Sequence, residues 1–361
     1  MPTFTVRTPL DHYPVVVERG ALAHLKENIP ASSGKAFVVT TADVWDFHGA
    51  RVTSALSGHP YEVLFFPGGE ERKRMSEVEK LAEQLVERGA DRSSLVIAFG
   101  GGIVDDLAGF LAAGFMRGVP VIQVPTTLLA QVDAGVGGKT GVNLASGKNL
   151  FGAFHQPLAV LIDPDVLVTL PEREYRAGLY EVLKTGIIKS ERLFRLMTGH
   201  RDAVLGRDSH IVEDIVAQSV EIKCEVVSAD ERESGLRRIL NFGHTLGHAL
   251  EAETGYSRLL HGEAVAFGMR AAAHLAVLNG DLSEPAAAVI REAIAAYGPI
   301  PLLAGVSAAN LVRRLRSDKK TVQGAVHFVL PVRIGEVKVV SGIEDSRILA
   351  AAVRTLDELT A

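Results

Sequence analysis

Five short apolar runs constrain this chain most: Ala36–Thr40, Val63–Phe66, Leu95–Phe99, Val121–Pro125 and Ala159–Ile162. A strand with one wet face alternates polar and apolar residues. These runs do not alternate, and they are rich in Val and Ile. They fit strands covered on both faces, as in a parallel sheet between helices. Helical patterns such as Met75–Arg88 and Asp106–Ala113 lie between them. Strand and helix in alternation imply right-handed crossovers in an α/β domain. Thr3–Arg7 and Val15–Glu18 read as two further strands, paired as a hairpin.

The character changes near Pro171. Long amphipathic patterns follow: Glu172–Lys189, Ile211–Asp230, Ile239–Thr254, Glu263–Asn279 and Pro285–Tyr297, with a short strand at His327–Leu330. Asp163-Pro164 and Leu170-Pro171 punctuate the junction. A chain of 361 residues is long for one core, so two domains are expected. The expected pair is an α/β domain with a parallel sheet over 1–170 and a mostly α-helical domain over 171–361.

Charge and composition narrow the function. A net charge of -5 without a basic run gives no footprint for nucleic acid. No apolar stretch is long enough to span a bilayer, and Met1–Asp11 carries no secretory signal pattern. Cys224 stands alone, which excludes an intramolecular disulfide and fits a reducing cytoplasm.

Three clusters carry chemistry. Leu95–Phe99 runs into Gly100-Gly101-Gly102 and then a helix bearing Asp106. A strand, a glycine turn and a helix N-terminus together suit a pyrophosphate, although a tight turn without ligand explains the same glycines. Asp105 stands where the usual dinucleotide fingerprint has a third glycine. Pro125-Thr126-Thr127 and Gly68-Gly69-Glu70-Glu71-Arg72-Lys73 follow strands in equivalent positions, where helix capping and a solvated charge run are the plainer readings.

In the second cluster, His244 and His248 sit four residues apart on one helix, His261 opens the next helix, and Glu181 lies on a third. A carboxylate and imidazoles on separate helices can hold a divalent cation with one face open. Spacing alone does not choose between His244 and His248. The third cluster is basic: Lys139 and Lys148 in glycine-rich loops, with Lys184, Lys223, Arg237 and the pair Lys319-Lys320. In an acidic protein, convergent cations suit a small substrate with several negative charges.

Gly100–Asp106, Arg117, Gln123–Asp133, Gly137–Asn143, Gly147–Phe154, Leu170–Lys184, Glu221–Gly235, Asn241–His248 and His261–Gly268 resemble, in order and over nearly the whole chain, the signature segments of the 3-dehydroquinate synthase family of sugar phosphate cyclases. The resemblance implies that Glu181, His244 and His261 bind zinc or cobalt. It implies NAD contacts from Asp43, Glu70, Lys73, Gly102, Asp106, Thr126, Thr127, Lys139, Lys148 and the Thr169 region. Asp133, Lys139, Asn149, Lys184, Lys223, Arg237, Asn241, His248 and a lysine of the final pair, assigned as Lys320, match the substrate pocket. Arg117 matches an arginine delivered into the neighbouring subunit of a homodimer.

The implied reaction is conversion of 3-deoxy-D-arabino-heptulosonate 7-phosphate to 3-dehydroquinate and phosphate, through transient NAD oxidation, phosphate elimination and aldol closure. Two positions depart from the family pattern, Asp105 for a common glycine and Cys224 for a common alanine. Another sugar phosphate cyclase, a metal-dependent NAD polyol dehydrogenase and a catalytically dead NAD-binding module are the competing expectations.

Overall fold

A computed structural model describes residues 2–318 and 326–360. The chain divides into two compact units, Met1–Tyr175 with Val212–Ser228, and Arg176–Ile211 with Ala229–Ala361.

The first unit is built on strands β1 (Thr3–Arg7), β2 (His12–Val17), β3 (Ala36–Thr40), β4 (Tyr61–Phe65), β5 (Leu95–Gly100), β6 (Val121–Pro125), β7 (Lys139–Leu144), β8 (Gly147–Phe154) and β9 (Ala159–Ile162). Seven form one sheet in the order β1-β2-β9-β6-β5-β3-β4. β1 and β2 are the antiparallel hairpin; every other pairing in this sheet is parallel. The apolar runs follow from burial on both faces. Phe37, Val39, Val96 and Ala98 join one core with Leu81 and Leu85 of α2 (Met75–Glu87) and Leu107 and Leu111 of α3 (Gly102–Gly114). Their neighbours Ala36, Val38, Leu95 and Ile97 join the opposite core with Val52 of the helix Ala42–Ala55. Each fully buried Val, Leu or Phe side chain contributes about 1.5–3 kcal/mol.

The strand order reverses between β3 and β5, and open sheets bind ligands at the carboxyl ends flanking such a point. Gly100–Gly102 and Asp43 follow those two strands. The helix after the glycines starts at Gly102, not near Asp106 as the apolar pattern suggested, so Asp105 and Asp106 lie in its first turns.

β7 and β8 are a two-stranded antiparallel ladder, which corrects the expectation of glycine-rich loops there. The glycines serve strand approach. A Cβ on Gly152 would fall 1.9 Å from Thr140 O, and one on Gly141 2.8 Å from Phe151 O.

The second unit is mostly helical. Counting the helix Ala42–Ala55 as α1, the later helices are α4 (Glu172–Lys189), α5 (Glu191–Gly199), α6 (Arg201–Leu205), α7 (Ser209–Ala229), α8 (His244–Glu253), α9 (His261–Leu278), α10 (Glu284–Ala295), α11 (Ala308–Asp318) and α12 (Asp345–Thr360). Residues 212–228, most of α7, count with the first unit. β10 (His327–Arg333) and β11 (Glu336–Ser341) form an antiparallel hairpin. The single helix expected over Ile239–Thr254 is two elements. A 3-10 turn, Leu236–Asn241, ends before Gly243, whose φ of 82° breaks the helix so that α8 begins at His244. Among the described residues, no helix is long and apolar enough to cross a membrane.

Candidate active site

In the first unit, the residues after β4 and β5 and those of the β7–β8 ladder form one polar network. Lys73, 3% exposed, donates to Asp106 Oδ2 and to Asn149 Oδ1, the latter at 2.6 Å. Asn143 Nδ2 donates to Glu70 Oε1 at 2.7 Å, and Asn143 Oδ1 accepts from the Asn149 amide at 2.8 Å. Lys148 Nζ lies 3.9 Å from Glu70 Oε2. Asn143 is a member that sequence reasoning passed over; its signal was its place on the opposing strand to Asn149. Asn149 itself takes a left-handed φ of 53°. Lys139 and Asp43 are exposed. Burial raises the Asp106 carboxyl above its ordinary value, and Lys73 opposes that shift.

The glycine turn is shaped by contact as much as by any ligand. A Cβ on Gly100 would meet Val104 at 2.6 Å, and one on Gly101 would meet Thr127 at 2.9 Å. Thr127 Oγ1 accepts from the Ala130 amide at 3.2 Å, as a cap does. Thr126 differs: its hydroxyl is buried and has no partner among the described residues. An orphaned hydroxyl at the carboxyl end of a parallel strand fits a ligand that supplies the missing bond. Thr169 Oγ1 is 2.8 Å from His48 Nε2. Asp133 pairs with Lys223. Arg117 is exposed, and it follows Met116 in a left-handed pair with φ of 73° and 48°.

In the second unit, glycines bring three helices together. A Cβ on Gly262 of α9 would sit 2.0 Å from Ala177 O of α4, and one on Gly268 would sit 1.8 Å from Gly243 O before α8. This close approach collects the expected metal ligands. His244, His248 and His261 each offer a donor atom within 4.8 Å of the others, as do Glu181 and His244. His261 Nε2 is 3.8 Å from Glu181 Oε1. Tetrahedral zinc at about 2.0–2.1 Å holds its donors roughly 3.3 Å apart, so small contractions would close a ligand set of Glu181, His244 and His261.

The surrounding chemistry fits a metal. Glu181 is 1% exposed, and among the described residues neither of its oxygens accepts a hydrogen bond, though Lys184 on the next turn forms an ion pair with it. His244 Nδ1 is 3.2 Å from Phe242 O, an arrangement that leaves Nε2 for a cation. His261 Nδ1 is 3.5 Å from Glu251 Oε2. Glu251 was not singled out from the sequence; its signal is the spacing of seven residues from His244, two turns along the same helix face.

Arg237, 2% exposed, donates its amide to Asp230 Oδ2 at 3.0 Å and its guanidinium to Glu231 O. Burial works against the Asp230 charge, yet bonds from Gly235, Ser234 and Arg237 hold this carboxyl down to about 2. Asn241 Nδ2 donates to Glu233. Lys184 is 2% exposed and Lys223 8%. Lys319 and Lys320 lie outside the described residues.

Two family models match the chain, 3-dehydroquinate synthase N-terminal over residues 63–177 and 3-dehydroquinate synthase C-terminal over 178–321. A 3-dehydroquinate synthase of Solibacter usitatus is 61% identical over 351 residues, covering 97% of this chain and 98% of that protein. Among solved structures, 2-epi-5-epi-valiolone synthase from Streptomyces hygroscopicus, with NAD+ and Zn2+ bound, superposes with a TM-score of 0.88 at 30% identity, over 96% of this chain and 97% of that one. A 2-deoxy-scyllo-inosose synthase complexed with carbaglucose-6-phosphate, NAD+ and Co2+ gives 0.88 at 26% identity, over 98% and 99%. Both units and their polar clusters lie within these matches, and the chain belongs to the 3-dehydroquinate synthase family.

Proposed function

We propose that this protein converts 3-deoxy-D-arabino-heptulosonate 7-phosphate to 3-dehydroquinate and phosphate, a lyase step of the shikimate pathway towards aromatic amino acids. The observation that carries the reading is 61% identity to a protein of that activity along virtually the whole chain. The net change removes one phosphoric acid and leaves the oxidation state of the carbon skeleton unchanged.

Two groups are required. Glu70, Lys73, Gly102, Asp106, Thr126, Thr127, Lys139, Lys148, Asp43 and Thr169 would hold NAD, the orphaned Thr126 hydroxyl being the most direct sign. Glu181, His244 and His261 would hold zinc or cobalt, with Glu251 orienting His261. When bound, NAD supplies reversible hydride transfer and the metal Lewis acidity at the substrate oxygen.

The remaining work belongs to the side chains. Lys139, Lys184, Lys223, Arg237 and Lys320 neutralise the substrate's phosphate and carboxylate and stabilise the departing phosphate. Asn149 and Asn241 orient hydroxyls by hydrogen bonds. Asp133 keeps the Lys223 ammonium in place, and His248 moves a proton at a substrate oxygen. Holding one flexible sugar acid in a single pose accounts for much of the acceleration.

The working form is a homodimer in the cytoplasm. Support comes from Arg117, which is exposed and makes no bond among the described residues, and from Leu150, Phe151 and Phe154 on β8, exposed apolar side chains that a second copy would cover.

The test is incubation of the purified protein with the heptulosonate phosphate, NAD and zinc, and identification of the product by NMR. The expected product is 3-dehydroquinate. Turnover of a sugar 7-phosphate lacking the carboxylate, with none of the heptulosonate phosphate, would assign the chain to another cyclase activity instead.

A further inference from the structure

The helical unit holds a second charged cluster that the proposed reaction does not use. Glu358 on α12 accepts from Arg270 Nη2 at 2.7 Å and pairs with His274 Nε2 at 2.9 Å, both on α9. It lies 3.4 Å from Arg291 Nε on α10. Arg291 donates in turn to Glu284 at 2.6 Å. Donors outnumber acceptors here: Arg270 Nε and Arg291 Nη1 are buried with no partner among the described residues.

Arg270 and Glu358 line a cavity of about 420 Å³, whose other walls include Pro299, Ile300, Pro301 and Leu302. That volume is in the range of sites for small molecules. Arg270 is buried while the Glu358 side chain stays 32% exposed, and a partly solvated ion pair of this kind contributes little to stability. The guanidinium offers five N–H groups, and Arg270 makes one hydrogen bond among the described residues. Glu358, by contrast, already faces three donors, which leaves little room for a cation. A second negative charge on a ligand would meet the Glu358 carboxylate and apolar walls.

We propose that this cavity binds a small monocarboxylate on an apolar body. Arg270 takes the carboxylate through its free N–H groups, and residues 299–302 cover the body. A simple acid and an apolar amino acid share this carboxylate and apolar body.

Calorimetric titration of the intact protein with 3-phenylpropanoate, L-phenylalanine and phenethylamine tests the site. At least one carboxylate should bind saturably, one per chain, and the tighter of the two identifies the source. Phenethylamine should not bind. Arg270→Met should weaken binding at least tenfold, about 1.4 kcal/mol. Because Arg270 is itself buried, Leu302→Asp provides a second variant on the rim, where Leu302 is 68% exposed. It should weaken carboxylate binding while thermal unfolding stays unchanged. No saturable binding of either carboxylate, equal binding of the amine, or binding that both variants leave intact would overturn the proposal.

Discussion

Both oxygens of Asp105 are buried without a hydrogen bond among the described residues, in a helix turn shared with Asp106. Burial, then the Asp106 charge, raise this carboxyl well above its ordinary 3.8, against the pull of Lys73. The folded protein therefore binds a proton here more tightly than the unfolded chain does. The associated stability is complete below 3.8 and is lost as pH rises from there through the raised folded value. Asp105→Asn removes the linkage. Its melting temperature relative to the parent should climb as pH rises above 3.8, and a difference that stays flat with pH would contradict the assignment. Glu251 makes a second case. If it orients His261, Glu251→Gln should weaken zinc binding by roughly 10–100-fold while far-UV circular dichroism is retained. Unchanged affinity in a competition titration would reduce Glu251 to a buried structural group.

At the scale of elements, the glycines between α4, α8 and α9 are what allow three ligand-bearing helices to meet. Gly262→Ala places a methyl 2.0 Å from Ala177 O, where only backbone displacement can relieve it. We expect a cost of about 1–3 kcal/mol in urea unfolding and a loss of bound zinc. Normal zinc content with wild-type stability would show that the helices have slack. The parallel sheet was legible because burial on both faces leaves an unbroken apolar run, and β3, β6 and β9 have the bounds that their residues suggest. The β7–β8 ladder was not, since its glycines read locally as loop residues, while Gly141 and Gly152 serve a cross-strand approach. The break at Gly243 was hidden for a related reason: apolar periodicity continues across it, and only the backbone angle reveals the stop. Among the candidate ligands, motif spacing located His244, His248 and His261 but could not choose between the first two. Distances narrow the choice, because Glu181 lies within 4.8 Å of His244 and 3.8 Å of His261. Glu251 and Asn143 escaped because their roles depend on which neighbour they face.

For the whole molecule, the proposal of a shared site makes assembly a condition of activity. Arg117→Ala should fold and bind zinc, yet lose activity by roughly the 2–5 kcal/mol that follows removal of a charged partner from a phosphate. Mixed with Lys184→Ala, it should regain part of that activity, since one hybrid site would combine an intact Lys184 with a partner's Arg117. No recovery, with subunit exchange demonstrated by labelled chains, would place Arg117 outside the partner's site. The central claim is that redox chemistry occurs without net redox change. Simultaneous recording of released phosphate, 3-dehydroquinate and NADH absorbance during turnover tests it most directly. The account predicts equal phosphate and 3-dehydroquinate over many turnovers with no accumulation of NADH; NADH rising in step with turnover, with phosphate retained on the product, would contradict it.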